Sequence, residues 1–253
     1  MSALRLSAPD WCFLAPGADS QRYYAALAAL GIEGAEMVAP ERFGAARAAG
    51  LTIVNLSAPG MTRGLNRVEH HAALLPRIEA TIRLAGSESI GHVIVFSGNR
   101  AGQPDAEGID NVARGIEGLL PVAASCRVVL LLEMLNTFDH ADYQASSSAY
   151  GAALLERVGS SSLRLLYDVY HMSRMGEDVV ADLSAKVDAI AHVHVAEAPD
   201  RSTPRRDGVV PLEAVCRTLV AHGYRGYLGL EYVPSGDPLA DLARAVAAVR
   251  AID

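Results

Sequence analysis

The feature that most constrains this chain is an alternation repeated along its length. Short apolar or β-branched runs are followed by longer Ala-, Leu- and Arg-rich stretches whose apolar residues recur at three and four positions. Eight runs read as strands, near Arg5–Ala8, Ile32–Val38, Leu51–Leu56, Gly91–Ser97, Arg127–Glu133, Leu163–Asp168, Ile190–Ala196 and Gly226–Glu231. Eight stretches read as helices, near Gln21–Leu30, Arg42–Ala49, Arg67–Leu84, Gly108–Cys126, Ser146–Val158, Val179–Val187, Leu212–His222 and Pro238–Ile252. Strand-then-helix steps specify parallel pairing, because a parallel strand can return only through a crossover. Eight right-handed crossovers close most naturally into a ring, and 253 residues match the roughly 250 of a typical eight-fold barrel. The expected fold is therefore α/β, a single (β/α)8 TIM barrel over residues 1–253 with no linker or domain boundary. An open nucleotide-binding sheet is the rival. Against it, Ser7-Ala8-Pro9-Asp10 stands where a G-x-G-x-x-G would follow the first strand, and no G-x-x-x-x-G-K-[ST] occurs.

Charge and composition narrow the partners. Twenty-two Lys and Arg against 29 Asp and Glu give a net charge of −7, which repels a phosphate backbone, so nucleic acid is not an expected partner. No stretch stays apolar and uncharged for the roughly 20 residues of a membrane-spanning helix. The first residues meet Pro9, Asp10 and Pro16 before an export signal's apolar core could form. Cys12, Cys126 and Cys216 are scattered, odd in number and without metal-type spacing, which suits thiols in a reducing compartment. The expectation is a cytoplasmic protein acting on a small molecule, with a homo-oligomer left open.

In βα barrels the loops leaving the C-terminal strand ends build the active face. The longest expected loops here, Ser57–Asn66, Gly98–Glu107, Asn136–Gln144, Val169–Asp178 and Glu197–Val210, all follow strands. Strands five to eight run into Glu133, Asp168, His194 and Glu231. Any one of these could be an ordinary strand-end residue paired with an Arg or capping a helix. Four in sequential register point to a shared site. Three carboxylates converging in a barrel mouth would be driven to take up protons unless a cation neutralised them. One divalent metal ion, Mn, Mg, Co or Zn, suits ligation by three carboxylates and an imidazole. Glu36 also ends an apolar strand but shows no matching partner in the sequence, leaving it between a hydrogen-bonded structural acid and a pocket residue. His192 falls on the same side of its strand as His194, one step deeper, a place for a residue supporting a ligand.

Four segments carry a resemblance. Glu133-Met134-Leu135-Asn136-Thr137, Tyr167-Asp168-Val169-Tyr170-His171-Met172, His192 to Arg201, and Gly226 to Pro234 resemble the hydroxypyruvate isomerase branch of the xylose-isomerase-like barrels, a superfamily that includes ketose 3-epimerases. The match covers about Val128 to Pro234. The resemblance implies that Glu133, Asp168, His194 and Glu231 hold the metal and that Glu133 and Glu231 also move protons. It further implies that His171 touches a substrate oxygen, that Arg201 grips a substrate carboxylate or hydroxyl, and that Asp139 is another pocket acid. Plainer readings of these last three are a hydrogen-bonded loop histidine and two solvated surface charges. Met134 stands where the isomerases tend to have Pro, and His194 stands where many of them have Gln, a histidine there being closer to the ketose epimerases; these departures bear on substrate rather than on reaction class.

The implied reaction is isomerisation of hydroxypyruvate to tartronate semialdehyde, with a ketose 3-epimerase or related sugar isomerase as the alternative. Two further readings are weaker. An abasic-site nuclease would want extra His and Asp ligands on early strands, yet strands two to four end in Glu36, Asn55 and Ser97. A non-catalytic sugar-binding barrel would not need both glutamates. Trp11 is expected either to roof the pocket or to plug the core, and Arg205 with Arg206 reads as a surface charge pair.

Overall fold

The computed structural model describes residues 4–252. In chain order the elements are β1 (Arg5–Pro9), α1 (Asp10–Phe13), α2 (Ser20–Ala29), β2 (Gly34–Glu36), α3 (Phe43–Ala48), β3 (Thr52–Ile53), β4 (Asn55–Ser57), α4 (Val68–Ser87) and β5 (His92–Val95). They continue as α5 (Asp105–Cys126), β6 (Val129–Glu133), α6 (Ser148–Val158), β7 (Leu163–Asp168), α7 (Val169–Arg174), α8 (Val179–Lys186), β8 (Ile190–Val195), α9 (Leu212–Ala221), β9 (Tyr227–Leu230) and α10 (Pro238–Arg250). Each of the eight expected helices is present, with ends shifted by a few residues.

The chain divides into two compact units. The first holds the segment ending at Val54, then Asp178–Asp188, and the segment from His192 onward. Its strands pair in parallel as β3 with β2, β2 with β1, β1 with β9, and β9 with β8. The registers Ser7↔Gly229 and His194↔Gly229 set three residues in line on neighbouring strands. The second unit holds Asn55–Glu177 with Ala189–Ala191, and its strands pair in parallel as β4-β5-β6-β7. Strands such as β6 read as continuous apolar runs, and Leu130, Leu131 and Leu132 are all fully buried, as expected where both faces of a parallel sheet are covered.

Local chemistry sets the helix ends. Asp19 caps α2 by accepting from the backbone N–H groups of Gln21 and Arg22, and Asp237 caps α10, which has Pro238 in its first turn. Ser147 caps α6, and Gly159, at φ +61°, ends it.

Two expectations are corrected here. The run Leu51–Leu56 makes two short strands, not one. Thr52 and Ile53 pair with β2, whereas Asn55 to Ser57 pair with β5, so the partner changes at Val54. The segment expected as the loop Val169–Asp178 begins as the helix α7. Asp168 is its N-cap, the side-chain Oδ1 accepting from the His171 N–H at 3.1 Å.

Candidate active site

In the first unit, Glu231 follows β9 directly and is almost fully buried. Trp11 donates its indole N–H to Glu231 Oε1 at 3.0 Å, and the Arg201 guanidinium bonds Oε2. The Arg201 guanidinium carbon also lies 5.1 Å from the centroid of the Trp11 ring, within cation–π range. Trp11 is 49% exposed, so it walls the carboxylate and is not a core plug. His194, near the end of β8, is fully buried and places Nδ1 3.2 Å from Glu231 Oε2.

On its other side His194 meets Glu36. Its Nε2 lies 2.9 Å from Glu36 Oε2. His192 Nε2 approaches the same oxygen to 2.9 Å. Ser7 donates to Oε1 at 2.6 Å. Burial alone would raise the Glu36 carboxyl, but the His192 and His194 imidazoles on it hold it well below the usual carboxylate range. Burial pushes the His192 imidazole down, with Glu36 opposing. Glu36 thus has the partners that the sequence left unassigned, and one of them is 158 positions away.

In the second unit, Glu133 ends β6 and is buried, and its backbone carbonyl accepts from the Tyr143 hydroxyl at 3.0 Å. Asp168 ends β7, fully buried, with Oδ2 3.6 Å from His171 Nε2. His171 is equally buried, and its Nδ1 accepts from the Asn136 backbone N–H at 3.1 Å. That donor cannot reverse its role, so Nδ1 carries the lone pair and a neutral His171 carries its proton on Nε2. Asp139 is a surface residue with a firmly held carboxylate. It accepts from Tyr170 Oη at 2.5 Å and Asn136 Nδ2 at 2.9 Å. Burial opposes its ionisation, but these bonds outweigh it and lower its pKa. The same Asn136 that positions His171 therefore ties Asp139 to it. His140, assigned no role from the sequence, sets its ring edge against His171 at 5.3 Å between centroids.

Arg201 depends on its loop. It sits at φ +55°, an uncommon conformation for a residue with a side chain. Glu197, buried just beyond β8, ties this loop together. Its Oε1 accepts from the N–H groups of Ala198, Val209 and Val210 at 3.1, 2.8 and 3.0 Å. Gly208 makes room for it, because a Cβ there would lie 1.6 Å from Glu197 Oε2. Sequence reading missed Glu197. Its one signal was an acid three residues after His194. Glu197→Ala is expected to cost about 1–3 kcal/mol, the cost of leaving buried donors unmet, and to raise KM through Arg201 more than it lowers kcat. A thermal melt together with Michaelis kinetics checks this; unchanged KM in a folded variant would detach Glu197 from Arg201. Arg205 and Arg206 lie outside this arrangement, 3.9 Å from Asp207 and 2.9 Å from Glu213 respectively, as exposed surface pairs.

Residues 24–252 match the family model described as xylose isomerase-like TIM barrel. A Streptomyces coelicolor protein provisionally named hydroxypyruvate isomerase is 32% identical over 191 residues, covering 72% of this chain and 67% of that one. The 2-oxo-tetronate isomerase of Cupriavidus necator is 28% identical over 236 residues, covering 87% of this chain and 89% of its own. The solved structure of a family 2 AP endonuclease from Brucella melitensis superposes with a TM-score of 0.83 over 95% of this chain and 97% of that one; at 21% identity it shows the fold alone. The chain belongs to the xylose isomerase-like TIM barrel family, in its hydroxypyruvate isomerase branch. It is an enzyme of the isomerase kind, and its fold class is the α/β TIM barrel expected from the alternation. Among the described residues no helix is long and apolar enough to cross a membrane.

Proposed function

We propose that this chain works as one barrel domain and is a metal-dependent isomerase of a small hydroxy-carbonyl acid, converting hydroxypyruvate to tartronate semialdehyde. The observation that carries the reading is Glu231, a buried strand-end carboxylate gripped by Arg201 beside the His194 imidazole. A substrate carboxylate can draw the Arg201 guanidinium onto itself by a bidentate pair, which leaves Glu231 to handle a proton.

Glu133, Asp168, His194 and Glu231 would hold one divalent ion. The donor set fits: hard carboxylate oxygens and a single imidazole suit Mn, Mg, Co or Zn. His194 Nδ1 and Glu231 Oε2, 3.2 Å apart, are two electron-rich atoms that a cation would reconcile. Bound there, it would offset the carboxylate charge and polarise a substrate carbonyl.

The protein's own groups do the rest in this reading. Arg201 holds the substrate carboxylate. One of Glu133 and Glu231 removes a proton from the hydroxyl-bearing carbon, a proton returns to the adjacent, formerly carbonyl, carbon, and the hydroxyl proton passes to the former carbonyl oxygen, so that the two oxygens exchange roles. His171 donates its Nε2–H to a substrate oxygen as charge develops there, and Asn136, with Asp139 and Tyr170 behind it, fixes that imidazole. A four-carbon 2-oxo acid is the second reading, favoured by the match over 89% of the 2-oxo-tetronate isomerase.

The test is proton exchange in D₂O, followed by NMR with metal-reconstituted protein. The panel is hydroxypyruvate, tartronate semialdehyde, four-carbon oxo acids and ketoses. One small acid is expected to exchange and convert, and chelation is expected to stop it. Metal-loaded protein that exchanges none of them would end the isomerase reading.

A further inference from the structure

Resting on the reading of His194 as a metal ligand, we propose that Glu36 is the positioning residue of that ligand. Its carboxylate fixes the imidazole as the Nε2–H tautomer and turns Nδ1 toward Glu231. Glu36 closes β2 with no exposed surface and receives Ser7 Oγ on one oxygen and the two imidazoles on the other. An ionised carboxylate only accepts hydrogen bonds. His194 Nε2, at 2.9 Å, must therefore carry the hydrogen. A neutral imidazole has one N–H, so Nδ1 is left as the electron-pair donor, and Nδ1 is the atom that lies 3.2 Å from Glu231 Oε2.

The surroundings hold this arrangement in one orientation. The His192 ring stands edge-on to His194, with centroids 4.6 Å apart and planes at 88°, so the His194 ring cannot turn over without displacing it. Gly229, in register with both Ser7 and His194, leaves the gap into which Glu36 and the imidazoles fit. Burying an ionised carboxylate is costly, and an apolar side chain would pack the end of β2 without that cost. What a carboxylate adds is a directed acceptor. A ligating imidazole whose other N–H rests on a carboxylate is oriented and made more basic, and loss of such a partner typically weakens metal binding 10–100-fold.

The experiment has two readouts. In metal-free wild type, long-range ¹H–¹⁵N correlation of the ring nitrogens should show His194 protonated at Nε2 and bare at Nδ1. Calorimetric titration with Co²⁺ should then show Glu36→Gln binding about 10–100-fold more weakly than wild type, with Glu36→Asp recovering part of the loss. A His194 protonated at Nδ1 in wild type overturns the proposal without recourse to any variant. So does a folded Glu36→Gln that binds Co²⁺ as wild type does, which leaves the metal reading intact. Two equivalents of Co²⁺ in wild type, one of them lost in Glu36→Gln, would make Glu36, His192 and His194 a metal site and also overturn it. Wild type that binds no Co²⁺ would sink the metal reading, and the proposal with it.

Discussion

Glu231→Gln is expected to lower kcat by roughly 10²–10⁴-fold, the range that a positioned acid–base group contributes, and to stop solvent exchange at the reacting carbon. The substitution keeps size and shape and removes the charge. Trp11 could still donate to the amide oxygen, but the new NH₂ would face the Arg201 guanidinium that now bonds Oε2, donor against donor. Two consequences are therefore read separately: loss of proton transfer in kcat, and release of Arg201 in KM. Glu133→Gln should match the loss in kcat while leaving KM nearer to wild type, because the guanidinium whose release would raise KM, that of Arg201, is held on Glu231. Co²⁺ affinity measured on the same samples separates a missing base from a missing ligand. Should either variant, metal-loaded, keep exchange within tenfold of wild type, transfer between two glutamates is the wrong mechanism.

The parts of this site that the sequence made legible are those set by local pattern. Apolar runs ending in Glu133, Asp168 and Glu231 could be read because a buried parallel strand must be apolar along its length and may turn polar only at its end. β7 runs from Leu163 to Asp168 as expected, since a largely apolar run, burial and a terminal acid all agree there. What stayed illegible depends on contacts between distant segments. Nothing near Glu36 in the chain announces His192 and His194, so its hydrogen bonding and its depressed pKa could not be read. The break at Val54 is likewise a change of pairing partner, invisible in a run that is apolar apart from Thr52 and Asn55. Helix α7 was legible in principle through Asp168 as its cap, but a six-residue helix carries too little periodicity to outweigh a loop. Glu197 shows a third limit. Three backbone donors meet on its carboxylate, and only the folded loop brings Val209 and Val210 back to it.

Gly229→Ala should be strongly disruptive for the addition of a single methyl group. The added Cβ would lie 2.4 Å from Glu36 Oε1, 2.5 Å from His194 Cδ2 and 3.1 Å from His192 Nε2, all inside ordinary contact. The backbone has little room to retreat, because Gly229 is in register with Ser7 on one side and His194 on the other. The side chains must then give way. Overpacking of this kind costs about 1–3 kcal/mol, and stranding the Glu36 hydrogen bonds adds about 1–3 kcal/mol more. For a chain of this size each kcal/mol moves Tm by about 2–4 °C, so a fall on the order of 5–15 °C is expected. Gly31→Ala is the matched control. Its φ is +80° but nothing lies within 4 Å of the new Cβ, so it carries backbone strain of about 1 kcal/mol without a clash. Thermal melts of both variants with and without Co²⁺ read the difference. In Gly229→Ala the stabilisation by added metal should shrink along with Tm, because the atoms displaced are those that aim His194; in Gly31→Ala it should not change. If Gly229→Ala melts as Gly31→Ala does and gains as much from metal as wild type, the packing of β9 against Glu36 is not what holds that imidazole in place.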